Sequence, residues 1–169
     1  SDPGRKETLT TFRQSASPCQ DIDGDGVLEI PSLTVMLGYE NAADANRPYI
    51  TLWRRYDGVQ FEVVMTCVMN YVDGYYFELP EAWVGNVTLD KSLGDRSRVF
   101  YRWDFSKSQK GAELLALQVF TQTEWNTGEH KDFSQLGIRN DLVYACRLGK
   151  DAGELGISAQ EVASKFRFI

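Results

Sequence analysis

The chain has 169 residues, of which 43% are hydrophobic and 25% charged, and carries a net charge of −6. That is enough apolar material for one full domain, or one domain with a smaller appended unit, and with no Lys/Arg cluster it argues against nucleic acid, whose binding needs concentrated positive charge. No apolar run reaches the length of a membrane span, and three scattered cysteines, Cys19, Cys67 and Cys146, do not make a disulfide framework.

The chain opens Ser1-Asp2-Pro3-Gly4 with neither a starting Met nor a signal-peptide pattern, as expected of a fragment cut from a longer protein. Residues 8–13 form a short β-like run. A polar stretch ending at Pro18 then leads into Asp21-Ile22-Asp23-Gly24-Asp25-Gly26-Val27-Leu28-Glu29-Ile30, with acids at positions 1, 3, 5 and 9 and glycines at 4 and 6. Carboxylates crowded this closely repel unless a cation joins them. An all-oxygen set suits calcium, a hard ion taking six to eight ligands, and glycine admits the φ > 0 backbone that wraps a chain around such an ion. An EF-hand does not fit. It needs flanking helices and a bidentate acid at position 12, where this chain has Ser32 after Pro31.

The pattern D-x-D-G-D-G-x-x-D/E followed by apolar residues resembles the acidic loop of integrin-like β-propeller blades, the FG-GAP and VCBS-type repeats. Carried over residue by residue, the resemblance implies calcium ligation by the side chains of Asp21, Asp23, Asp25 and Glu29 and by the main-chain carbonyl of Val27. Glu29 departs from the pattern, since that family more often has Asp there.

From residue 30 to 46 the sequence is irregular and predicts a long surface loop. Two alternating runs, 49–56 and 59–71, follow around Asp57-Gly58, the signal of a two-residue type I′ turn that would set Tyr56 opposite Val59 and Arg54 opposite Phe61. In that register Thr51, Trp53 and Arg55 share the more polar face. A boundary is expected at 72–74, dividing a blade-like unit (1–72) from an α+β unit (73–169). The second unit predicts strands at 75–79 (stopped by Pro80), 86–90, 98–105, 113–121 and 142–148, with Val99, Tyr101, Trp103 and Phe105 on one face. It also predicts a short helix at 132–136 ended by Gly137. A C-terminal helix is signalled by the Ser158/Glu161 capping box, the Ile157/Val162 staple and Val162 and Phe166 on one face. The fold class is α+β, predominantly antiparallel β.

An acidic blade loop, an aromatic hairpin, then segments like 75–83 and 114–120 together resemble uncharacterised secreted lipoproteins of Firmicutes, in which a propeller-like unit leads into a small α+β domain. The resemblance implies an extracellular or surface-anchored address and no assigned activity. Nothing in the residues composes a catalytic set. His130 is the only histidine, the nucleophile-elbow motif G-x-S-x-G is missing, and one His with three scattered Cys gives no zinc spacing. The expected function is a non-catalytic, calcium-stabilised module binding a protein or carbohydrate. The alternative is a hydrolase using paired carboxylates, for which Glu78 and Glu81 around Pro80 are the candidates, with Tyr75, Trp83 and Trp125 to stack on sugars.

Overall fold

The computed structural model describes residues 17–128 and 130–169; the run expected at 8–13 lies outside them. Two five-stranded antiparallel sheets pack face to face. The first has the order β1 (Ile30–Val35), β2 (Tyr49–Tyr56), β3 (Phe61–Asn70), β4 (Tyr75–Glu78), β10 (Phe166–Phe168). The second runs β5 (Val87–Ser92), β6 (Ser97–Asp104), β7 (Gln109–Thr121), β9 (Leu142–Leu148), β8 (Ser134–Arg139). Among the described residues two short helices, α1 (Gln122–Thr127) and α2 (Ala159–Lys165), complete an α+β fold that is mostly antiparallel β. Among the described residues no helix is long and apolar enough to cross a membrane.

The core lies between the sheets, where Ile50, Val68 and Phe77 meet Leu89, Phe100, Leu115 and Leu117. Each such side chain contributes about 1.5–3 kcal/mol on burial. Phe77, Trp83 and Phe100 form the aromatic centre, with ring centroids 5.5–6.1 Å apart. Trp83 arrives there because Pro80 ends β4 and starts a single 3₁₀ turn, Glu81–Trp83. Its Nε1 then donates to the Leu155 carbonyl at 2.8 Å. The boundary expected at 72–74 falls in the turn between β3 and β4, which are hydrogen-bonded neighbours. Asp73 in that turn accepts from Arg96 Nε at 2.8 Å and Asn70 Nδ2 at 2.9 Å, and its carbonyl accepts from Tyr144 at 2.7 Å. The turn is thereby stitched to the second sheet.

Several expectations need correction. Residues 30–35 are not loop but the edge strand β1, paired with β2 from Ile30↔Arg54 to Val35↔Tyr49. Pro31 obscured it, yet an edge strand can forgo one N–H. The β2–β3 connection is wider than two residues, with Tyr56 opposite Phe61 and Arg54 opposite Val63. The cause is Asp57, whose Oδ1 accepts from the N–H groups of Val59 and Gln60 (2.7 and 2.8 Å) and closes a larger turn. These bonds also hold its carboxyl below the usual range. A bulge at Trp53/Arg54 shifts the register again, and the face expected to be polar buries Trp53 completely.

The helix expected at 132–136 is absent. Asp132 has φ +69 and β8 begins at Ser134, while Gly137 serves packing, since a Cβ there would lie 3.1 Å from the Phe168 ring. The helix is α1 instead, set by a Thr121/Glu124 capping box and the left-handed Gly128. In β6 the expected row Val99, Tyr101, Trp103 does share a face, but the strand turns Phe100 into the core and leaves Phe105 exposed. The capped C-terminal helix α2 forms with Ser158 Oγ accepting from Glu161 N at 3.1 Å. It stops at Lys165, and Phe166–Phe168 pairs with β4 as an unforeseen strand.

Candidate metal centre

The acidic loop is closed at its base by two backbone hydrogen bonds between Gln20 and Glu29, at 3.2 and 2.9 Å. Within it Gly24 and Gly26 adopt φ +80 and +88, and no atom lies within 4 Å of a Cβ built on either. Their role is conformational freedom, not space. The resulting curl aims successive N–H groups inward. Asp21 Oδ1 accepts from Gly24 N and Asp25 N (2.7 and 3.0 Å), and its Oδ2 accepts from Gly26 N (2.9 Å). Asp23 Oδ1 accepts from Asp25 N at 3.1 Å, and Asp25 Oδ1 from Val27 N at 2.8 Å. A carboxylate oxygen carries two lone pairs, so these bonds leave ligand capacity on each acid.

The loop is held down from beneath. Ile22 is buried against Trp53 and Cys67 on the outer face of the first sheet. Burial pushes the Cys67 thiol pKa up, as it does that of Cys146, so neither is a metal-ready thiolate. Glu29 is fully buried. Its Oε2 accepts from Ile22 N at 2.9 Å, while its Oε1 has no hydrogen-bond partner among the described residues. A buried carboxylate oxygen without a partner carries the full cost of lost hydration.

Of the five residues expected to hold metal, Asp21, Asp23 and Glu29 are brought together, with one ligand atom from each within 4.8 Å of the others. This trio could bind a metal ion. Asp25 lies outside the trio, where its Oδ2 forms an ion pair with Arg55 of β2. Val27 is half-exposed near the loop's end. Glu29, the departure from the propeller pattern, is the deepest member of the trio. Sequence spacing gave no sign of Arg55, thirty residues away, nor of Ile22 as the anchor. Only the fold brings β2 under the loop.

The other candidates do not assemble into a site. Glu81 is exposed, and Glu78 lies 3.8 Å from Lys165 Nζ. Trp83 and Tyr75 are buried in the core, which removes them as stacking platforms. Trp125 stacks on His130 at 3.7 Å between ring centroids and meets Phe120 at a tilt, with centroids 5.7 Å apart. No family model, no curated protein and no solved structure matches this chain.

Proposed function

We propose that the 21–29 loop binds calcium and that the chain is a non-catalytic extracellular or cell-surface module whose loop that ion holds closed. Glu29 carries the reading. It is completely buried beside Asp21 and Asp23 with Oε1 unpartnered, and a cation is what that oxygen lacks. The donors are all oxygen and set on a glycine-bearing loop, which suits calcium's flexible coordination better than magnesium's rigid octahedron. Asp25 and the Val27 carbonyl complete the set once Asp25 exchanges Arg55 for the ion. The likeness to FG-GAP and VCBS loops and to secreted lipoproteins supports an extracellular address. There, sites with Kd of about 10⁻⁴ to 10⁻³ M are filled. The module's own ligand is a protein or a carbohydrate. Calorimetric titration of EDTA-stripped protein tests the ion. A single calcium site with weaker magnesium binding, lost when Asp21 and Asp23 are both changed to Asn, is the expected result. No heat and no stabilisation at about 10 mM calcium, well above that range, would refute it.

A further inference from the structure

A cleft of about 270 Å³, separate from the trio of acids, is lined by residues of β1, β2, β3, β5 and β6 and by Ser17. Its apolar wall includes Leu33, Val68 and Leu89, and its basic groups are Arg47, Lys91 and Arg98; no Asp or Glu among the described residues lines it. Arg47 is already engaged, by Asp44 at 2.9 Å and by the carbonyls of Ala42 and Glu40. Arg98 and Lys91 are different. They are directly opposed across β5 and β6, an arrangement in which like charges destabilise a sheet. Arg98 is only 7% exposed, yet among the described residues its one hydrogen bond is from Nη1 to the adjacent Ser97 carbonyl at 3.0 Å. Lys91 makes a single long contact to the Ala45 carbonyl at 3.4 Å. The nearest carboxylate on β5, Asp90, is taken on the other face by Tyr39 at 2.6 Å and by Lys110.

In a chain of net charge −6, two opposed cations line a cleft to which no acid among the described residues contributes a counter-charge. One of them is nearly buried, where an unpaired charge is costly. We propose that this cleft binds a small organic anion, its acid head between Arg98 and Lys91 and its short apolar body along Leu33, Val68 and Leu89. An anion there would pair both cations with charge-assisted hydrogen bonds and end their mutual repulsion. The volume, just below the usual range of about 300–1,000 Å³ for ligand pockets, matches a body of only a few carbons.

The test uses the whole chain in EDTA, so that it is independent of the calcium loop. Thermal melts are compared with hexanoate, hexanol and inorganic phosphate at matched ionic strength. Hexanoate is expected to raise the Tm saturably, with hexanol inert and phosphate weaker. Arg98→Met removes the guanidinium at similar volume; it is expected to keep the ligand-free Tm and to weaken hexanoate at least about tenfold. Lys91→Met, at an exposed position, serves if the first variant does not fold, and is expected to weaken hexanoate several-fold. No hexanoate effect, an equal effect of hexanol or of phosphate, or unchanged affinity in the folded variants would overturn the proposal.

Discussion

Replacing Glu29 by Gln probes the acidic loop where it is most constrained. The wild-type side chain is fully buried, with Oε2 accepting from Ile22 N and Oε1 unpartnered beside Asp21 and Asp23. An amide keeps the shape. Its oxygen replaces Oε2 as acceptor, and its NH₂ replaces a repelling oxygen with a donor toward the two aspartates. An unsatisfied buried polar group costs about 1–3 kcal/mol, so we expect Glu29→Gln to gain about 1–2 kcal/mol in EDTA. For a chain of this length that is a Tm rise of about 3–6 °C. Calcium at ten times Kd would give the wild type about 1.4 kcal/mol, a rise of similar size, and give the variant nothing. Four melts decide the matter, wild type and variant, each in EDTA and in calcium. The variant should be flat at the Tm the wild type reaches only with the ion. A variant that melts below the wild type in EDTA, or that keeps the calcium response, would refute the reasoning.

Arg55→Gln should tighten calcium by up to about fivefold, the equivalent of the ~1 kcal/mol of an exposed ion pair, because Asp25 no longer has to leave Arg55. Calorimetry on the Asp25→Asn background should show no such gain beyond loss of a long-range repulsion. Gly38→Ala should destabilise by about 1–3 kcal/mol in a denaturant titration, since Gly38 has φ +86 and a Cβ there would lie 2.6 Å from the Trp103 ring. The fragment 73–169 leaves β4 without β3 and exposes the side of the core that Met36, Ile50 and Val68 cover. It should melt without cooperativity, and a sharp calorimetric transition would show instead that it is an independent unit.

Much of the fold is written locally in the chain. Strands such as Leu142–Leu148 alternate cleanly because one face meets the core, and Ser158 with Glu161 sets the start of α2 through a bond spanning three residues. What escaped is set by distant partners. β1 becomes a strand because β2 offers it an edge, and Phe166–Phe168 because β4 does. The β2–β3 register depends on where the Asp57 carboxylate points, which the Asp-Gly pair does not encode. α1 was legible in principle, from the spacing of Thr121, Glu124 and Gly128, but its six residues are too few to show a helical period. At the metal site the acids and glycines are local and visible. Burial of Glu29 and the competition from Arg55 arise only when the loop lands on the outer face of the first sheet.

Whether a cation sits between Asp21, Asp23 and Glu29 can be seen in a crystal structure grown in calcium. The expected result is an ion with Glu29 Oε1 and the two aspartates at about 2.3–2.6 Å, Asp25 turned away from Arg55, and Ile22 still packed on Trp53. An ion-free loop at saturating calcium, with Asp25 still on Arg55 and Glu29 Oε1 hydrogen-bonded to a protein donor, would contradict it.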